Sequence, residues 1–177
     1  MGLNNHRDRL CVVQISDGNG DGHVVHFPKA EYNCPNLLKV ICDKSRVKLF
    51  HFGRFDIAIL QHYLSIEISN VYCTKIASRL CRTFTDAHGL KDLCYDLIGV
   101  KISKQQQTSY WGTPDLNSDQ IAYAASDVLY LHKLRSKLND MLVRENRLEL
   151  AQKCFDFLPT RAELDTLGWN EFDIFQH

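Results

Sequence analysis

The sequence lacks an excess of charge of either sign and lacks any long apolar run. Its 21 lysines and arginines are balanced by 21 aspartates and glutamates. No overall field attracts long polyanions, so a nucleic acid could be bound only through a local basic cluster. Because there is no run of about 18 apolar residues and no apolar secretion signal at the N-terminus, we expect a cytoplasmic protein without a membrane partner.

Closely paired cysteines are also missing. The seven cysteines form no C-x-x-C motif, and their odd number does not suit a disulfide framework. They are Cys11, Cys34, Cys42, Cys73, Cys81, Cys94 and Cys154. We interpret them as small buried apolar side chains in a reducing compartment rather than as zinc ligands.

One segment matches a calcium-binding loop only in part. Residues 17–22, DGNGDG, fit the first six positions of an EF-hand loop. The twelfth position, which requires a glutamate, is Pro28, and the flanking segments have the β-branched composition of strands. The segment is therefore predicted to be the polar turn of a β-hairpin.

The chain is long enough for one globular domain, and we expect that domain to span residues 1–177 without an accessory helical domain. Strands are predicted at residues 9–16, 22–27, 47–51 and 71–74, and helices at residues 35–43, 55–64, 75–81, 90–98, 118–139 and 141–155. Asn117 and Gln120 form a capping-box pattern before the long helix. This order predicts an α/β sheet covered by helices, followed by Pro159 and an aromatic tail.

Two short motifs carry side chains suited to catalysis. The first is HFGRFD, from His51 to Asp56, and the second is YAASD, from Tyr123 to Asp127. Tyr123 and Asp127 lie four residues apart, on one face of the predicted helix. Asp56 lies near the start of another helix, where acidic residues are common in any protein. Each motif alone is typical of an ordinary amphipathic helix, and only their combination and order indicate a function.

In this order the two motifs resemble the second and third motifs of ribonuclease D-like 3'-to-5' exonucleases, the tyrosine subclass of the DEDD superfamily. Within that family the chain is similar to small bacterial oligoribonucleases of the nano-RNase C type. The further stretches that carry the similarity are RDRLCVVQ (7–14), CTKIAS (73–78), ISKQQQ (102–107) and LGW (167–169). The resemblance implies a ribonuclease H-like mixed sheet flanked by helices.

The resemblance also implies a two-metal site for Mg²⁺ or Mn²⁺, which are hard ions that prefer carboxylate ligands. Asp127 would ligate the ion that holds the attacking water, Asp56 would support the second ion, and the Tyr123 hydroxyl would orient the water. The implied activity is hydrolysis of short oligoribonucleotides to mononucleotides, with dinucleotides as one possible substrate. The implied partners are short single-stranded RNA and further copies of the chain, which would form an octamer.

Six positions are implied substrate contacts: Leu3, His51, Phe55, Lys104, Gln105 and Trp111. Two of them have equally good structural interpretations, since Leu3 could belong to the core and Trp111 could either stack on a base or pack within the fold. The loop before the catalytic helix departs from the family, which usually has Ser-Asp-Trp where this chain has Ser109-Tyr110-Trp111. That difference affects only the expected loop contacts.

The first motif of the family reads Asp-Thr-Glu, two variable residues and Gly-Leu. Aligning its last pair with Gly2-Leu3 places both carboxylates before Met1, and we expect the sheet to lack its first, central strand for the same reason. Three explanations stay open: a start assigned too late, an incomplete sequence, or a catalytically impaired pseudo-enzyme that binds oligonucleotides. Trimming of tRNA 3' ends is a further alternative, which the short segment after the catalytic helix disfavours.

Extending the chain upstream so that it carries Asp-Thr-Glu is expected to raise the hydrolysis of a labelled RNA dinucleotide in Mg²⁺ at least about a thousandfold, because core catalytic groups are regained. The measurement compares the extended protein with the 177-residue chain. Equal rates would contradict this expectation. An in-frame Asp-Thr-Glu in the codons before Met1 would favour the enzyme, whereas a stop codon there would favour the oligonucleotide-binding alternative.

Overall fold

A computed structural model describes residues 8–102 and 109–176. Within these ranges, four strands form two separate two-stranded sheets. The strands are β1 (Val12–Ile15), β2 (His23–His26), β3 (Lys48–Phe50) and β4 (Val71–Cys73). β1 and β2 are antiparallel, whereas β3 and β4 are parallel. The four strands lie where the sequence predicts them, and the mixed α/β character is confirmed.

The described residues also form seven helices. They are α1 (Pro35–Ile41), α2 (Gly53–Leu64), α3 (Thr74–Cys81), α4 (Leu90–Ile98), α5 (Ser118–Leu129), α6 (Leu131–Arg144) and α7 (Leu148–Thr166). The first four agree with the predicted helices to within two residues at each end. In the part of the chain that is described, no helix combines the length and the apolar character needed to cross a bilayer.

The turn between β1 and β2 is closed by local polar contacts. The Asp17 carboxylate accepts hydrogen bonds from the backbone and side-chain nitrogens of Asn19, both at 3.0 Å. Such an Asx turn is a common way to reverse the chain, and strands flank it on both sides. The hairpin predicted from residues 9–27 is confirmed.

The predicted long helix at residues 118–139 is wrong, because the chain forms two helices that meet at Tyr130. Tyr130 is a turn residue that ends α5 and precedes α6, with φ −101° and ψ −6°. α5 packs against the β1–β2 hairpin, whereas α6 packs against α3 and buries Leu134 and Leu138. The break contains neither glycine nor proline, so its cause is packing against two different layers of the fold.

The predicted helix at residues 141–155 is also wrong in its bounds. Met141 belongs to α6, and the chain turns at Asn146, which has a left-handed backbone with φ 54°. α7 then runs through Pro159, although proline lacks the N–H that the helix interior requires. The buried neighbours Leu158 and Ala162 show why the helix continues: packing outweighs the local penalty.

The core lies between α7, α2 and β4. Phe155 of α7 is 1% exposed, and its ring centroid lies 4.5 Å from that of Tyr72 in β4. Nη1 of Arg147 donates a hydrogen bond to the carbonyl oxygen of Leu80 at 2.6 Å, which ties the start of α7 to the end of α3. α7 therefore contributes contacts that connect β4 and α3 to the core. The seven cysteines are free thiols, but the prediction that all of them are buried is wrong: Cys73, Cys81 and Cys94 are buried, Cys42 is exposed, and the other three are half-buried.

Replacing Phe155 with alanine is expected to lower the free energy of unfolding by about 3–5 kcal/mol, because the change leaves a cavity beside Tyr72. The matched control is Phe157→Ala on the same helix, where the ring is 39% exposed and the expected loss is below about 1 kcal/mol. Urea unfolding followed by circular dichroism measures both. Equal losses would show that α7 does not anchor the core in this way.

Candidate active site

α5 carries two of the predicted catalytic side chains and begins at a complete capping box. The Asn117 side chain accepts a hydrogen bond from the backbone nitrogen of Gln120 at 2.9 Å, and Oε1 of Gln120 accepts one from the backbone nitrogen of Asn117 at 3.1 Å. This confirms the predicted start of the helix. Tyr123 and Asp127 follow on one face of α5, one turn apart.

The third predicted catalytic residue, Asp56, lies in the first turn of α2. The chain leaves β3 and reaches α2 through a tight turn in which Phe52 has a left-handed backbone, with φ 62°. Bulky side chains rarely adopt this geometry. Gly53 is required next, because a Cβ there would lie 2.7 Å from the Cβ of Phe50. The HFGRFD motif therefore forms the tight connection from β3 to α2 and fixes the position of Asp56 at the start of the helix.

The fold brings Asp56 and Asp127 together from two separate helices. Burial and the neighbouring charge of Asp127 raise the pKa of Asp56 to about 7. Burial raises the pKa of Asp127 to about 6, although its hydrogen bond with Tyr123 acts in the opposite direction. No Lys, Arg or His of the described ranges forms an ion pair with either carboxylate. The pair therefore carries an electrostatic cost that a bound cation would relieve.

These two carboxylates are the described side chains best suited to hold a hard divalent ion. With pKa values of about 7 and about 6, the two carboxyls are partly protonated near neutral pH, and a bound cation would displace the remaining protons. Across residues 8–102 and 109–176 there is no group of three or more His, Cys, Asp or Glu that could hold a metal ion. Asp56 and Asp127 by themselves could supply only part of a coordination sphere.

Tyr123 is held in its protonated form. Burial, the charge of Asp127 and the hydrogen bond with that carboxylate raise the pKa of the Tyr123 phenol to about 12. Its hydroxyl is therefore protonated at neutral pH, with the Asp127 carboxylate as its charged neighbour. The Trp111 ring lies against Tyr123, with a centroid distance of 6.1 Å and an interplanar angle of 37°.

His51 is a neutral acceptor rather than a cation. Burial and the charge of Lys75 lower its pKa to about 4, despite an opposing effect of Asp92. Nδ1 of His51 lies 2.9 Å from Oγ1 of Thr74, and that hydroxyl donates to the carbonyl oxygen of Phe50. The Thr74 hydroxyl has one proton, and when it donates that proton to the Phe50 carbonyl, Nδ1 of His51 donates to Thr74 and Nε2 is left as an acceptor.

The other predicted substrate contacts are placed only in part. Phe55 is half-buried against the core, and Trp111 is half-buried beside Tyr123. Leu3, Lys104 and Gln105 lie outside the described residues. The structure thus brings Asp56, Tyr123, Asp127 and Trp111 into one region, while the predicted contacts with substrate stay predictions.

Two further side chains, Lys75 and Cys94, lie near the predicted site residues without having been predicted as members of the site. The Lys75 ammonium lies 4.2 Å from the centroid of the Phe52 ring. Burial and the charge of Asp127 raise the pKa of Cys94 to about 11, so this thiol lies near the carboxylate. Neither has a motif of its own, although Lys75 belongs to the CTKIAS stretch that carries the family similarity.

In the absence of divalent ions, Asp56 and Asp127 are expected to contribute a stabilisation that is lost as the pH rises from about 4 to about 8, whereas the lowered pKa of His51 acts in the opposite direction up to about pH 6.5. The two carboxyls have native pKa values of about 7 and about 6, above the ordinary 3.8, so the native state holds more protons than the unfolded chain in this window. Asp56→Asn should flatten the decline, whereas Asp119→Asn, at an exposed position of α5, should preserve it. Urea unfolding in EDTA measures both, and equal pH slopes for the two variants would contradict the assignment.

Comparison with known proteins agrees with this geometry. Residues 1–143 match the family model described as 3'-5' exonuclease. The chain is 31% identical over 140 residues to ribonuclease D of Gluconacetobacter diazotrophicus, covering 79% of this chain and 35% of that protein. It is 34% identical over 155 residues to DNA polymerase I of Aquifex aeolicus, covering 88% of this chain and 25% of that protein. The chain thus spans about a third or less of these relatives.

Solved structures show the same likeness. Brucella melitensis NrnC bound to pGG is 53% identical with a TM-score of 0.96, covering 99% of this chain and 85% of that chain. The same protein with bound Mg²⁺ is 52% identical with a TM-score of 0.95, covering 99% and 86%. Escherichia coli RNase D, 22% identical, shares the fold with a TM-score of 0.77, covering 89% and 42%.

These matches confirm the predicted ribonuclease H-like fold and the resemblance to ribonuclease D-like nucleases and NrnC. The family model covers residues 1–143, so the match includes Asp56, Tyr123 and Asp127. The chain belongs to the 3'-5' exonuclease family.

Proposed function

We propose that the chain acts as a divalent-metal-dependent exoribonuclease that hydrolyses short oligoribonucleotides to mononucleotides from their 3' ends. The observation that carries the proposal is the convergence of Asp56 from α2 with Tyr123 and Asp127 from α5. Two adjacent carboxylates with raised pKa values and a protonated phenol beside one of them suit phosphodiester hydrolysis.

Asp56 and Asp127 would hold the metal, with Mg²⁺ or Mn²⁺ as the expected ions. Bound divalent ions neutralise charge on the phosphate and lower the pKa of the attacking water. The Mg²⁺-bound structure of the Brucella protein supports this choice. The protein's part is to keep both carboxylates in place and partly shielded from water, where their charges act most strongly.

Tyr123 would orient the attacking water. Its hydroxyl donates to Asp127 and retains oxygen lone pairs that can accept a hydrogen bond from water. A phenol with a pKa of about 12 is already protonated near pH 7, so it cannot accept a proton from the attacking water. The role of Tyr123 is therefore orientation rather than general base catalysis.

The substrate is proposed to be short single-stranded RNA. The ligand pGG in the Brucella NrnC structure supports this choice. The acceptor nitrogen of His51 suits a ribose hydroxyl better than a phosphate oxygen, because an unprotonated nitrogen cannot donate to an anion. Phe55, Trp111, Leu3, Lys104 and Gln105 remain the further proposed contacts.

Self-association is a separate part of the proposal. The tail after α7 exposes three large aromatic side chains, Trp169, Phe172 and Phe175. It is nevertheless tied down, because Nη2 of Arg54 donates to the carbonyl oxygen of Asn170 at 3.0 Å. An anchored apolar surface supports contact with another copy of the chain. The octamer expected from the family resemblance rests on that resemblance alone.

The protein extended upstream to carry Asp-Thr-Glu is expected to hydrolyse labelled RNAs of two to seven nucleotides in Mg²⁺, with Asp127→Asn lowering kcat by at least about a thousandfold. Tyr123→Phe should lower kcat about 10- to 100-fold with a smaller change in KM, because it removes orientation rather than binding. Asp119→Asn on the same helix is the matched control and should retain activity.

Three results would contradict the proposal. Hydrolysis that persists in EDTA or in Asp127→Asn would remove the metal site from the reaction. Binding of RNA without hydrolysis in either metal would favour the pseudo-enzyme. Faster trimming of a tRNA 3' end than of the short RNAs would favour the ribonuclease D-type activity. Matched DNA oligonucleotides test the preference for RNA.

A further inference from the structure

Gln120 is a buried amide that joins the start of α5 to the preceding loop. Its side chain is nearly inaccessible, since the residue is 4% exposed. Nε2 donates hydrogen bonds to Oγ of Ser109 at 2.7 Å and to the carbonyl oxygen of Tyr110 at 3.2 Å. Oε1 accepts from the backbone nitrogen of Asn117. Both ends of the amide are therefore engaged.

The capping box explains only half of these bonds. A cap needs the Oε1 acceptor of Gln120 and the Asn117 side chain, whereas Nε2 contributes nothing to the orphan N–H groups of the helix. A glutamate at this position would serve a cap equally well. The amide nitrogen instead holds Ser109 and Tyr110, the two residues that precede Trp111.

The loop is also held on the other side of Trp111. Nη2 of Arg9 donates to the carbonyl oxygen of Gly112 at 3.1 Å and to that of Pro28 at 3.1 Å. A Cβ at Gly112 would lie 2.8 Å from the Tyr110 hydroxyl oxygen and 3.0 Å from Nη2 of Arg9, so a side chain there would require these two side-chain ends to shift. Trp111 is thus clamped between two anchored segments.

The clamped ring bears on the active site. Trp111 packs against Tyr123, which lies on α5 three residues after Gln120 and whose phenol interacts with the Asp127 carboxylate. The phenol ring therefore has Trp111 as one neighbour and the carboxylate as another. A shift of the loop would therefore remove the contact between Trp111 and Tyr123 and allow the Tyr123 ring to rotate more freely.

We propose that Gln120 is a positioning residue: by holding Ser109 and Tyr110 it presses Trp111 against Tyr123 and so keeps the Tyr123 hydroxyl directed at Asp127. The inference rests on the proposed function, in which Tyr123 orients the attacking water. Gln120 itself contacts neither substrate nor metal in this scheme. Its effect is on the geometry of the reacting groups, where small displacements lower the rate steeply.

The test uses the full-length protein with Trp169→Phe, which leaves Trp111 as the sole tryptophan of the two in this sequence. Gln120→Glu retains a cap acceptor but loses the amide donor, and Gln120→Met loses both without adding charge. Asn117→Ala is the matched control, because it removes part of the cap and leaves the bonds from Nε2 to the loop. The readouts are acrylamide quenching of Trp111 and kcat and KM on a labelled RNA dinucleotide in Mg²⁺.

Both Gln120 variants are expected to increase the quenching constant of Trp111 about twofold and to lower kcat about tenfold, with KM changed less than about twofold. Asn117→Ala should lower the melting temperature but leave quenching and kcat within about twofold of the parent. A lowered kcat in both Gln120 variants, together with a normal kcat in Asn117→Ala, would separate the effect of the hydrogen bonds to the loop from the effect of the helix cap.

Several results would overturn the inference. Unchanged quenching in both Gln120 variants would show that the amide does not hold the loop. Equal losses of kcat in Asn117→Ala would reduce Gln120 to a helix cap, and a raised KM with normal kcat would show that the loop acts through substrate binding by Trp111 and not through Tyr123. A parent protein that hydrolyses no RNA would refute the proposed function, while the quenching comparison would still decide whether Gln120 holds Trp111.

Discussion

The placement of Asp56 beside Asp127 is the constraint on which the site depends. Two carboxylates brought together and partly removed from water resist ionisation, and their pKa values rise to about 7 and about 6. This unfavourable pairing persists because the two residues lie on different helices, α2 and α5, whose positions are set by packing elsewhere. A site that attracts cations thus depends on stability supplied by the rest of the fold.

That stability reaches each carboxylate through short, well-anchored segments. On one side, Phe52 and Gly53 form the tight turn into α2, and the hydrogen bond between His51 and Thr74 ties this turn to the β4–α3 junction. On the other side, the capping box starts α5 at Asn117, and α5 packs on the β1–β2 hairpin. Tyr123 then lies between Trp111, against which its ring packs, and the Asp127 carboxylate, beside which its hydroxyl stays protonated.

Most elements could be predicted because their signals are local. The Asx turn at Asp17, the cap at Asn117 and the alternating strands each depend on neighbours within a few residues. The errors arose where distant contacts decide. Tyr130 interrupts a continuous helical pattern because α5 and α6 pack on different layers, and Pro159 stays inside α7 because buried neighbours compensate for its missing hydrogen bond.

The sequence by itself determined which side chains can take part in the chemistry, namely Asp56, Tyr123 and Asp127, and the helices that carry them. Only the tertiary structure decided that these residues meet, that His51 is a neutral acceptor, and that Trp111 packs on Tyr123. The reason is physical: residue type and helical period are local properties, whereas a pKa depends on burial and charge contributed by segments far apart in the chain.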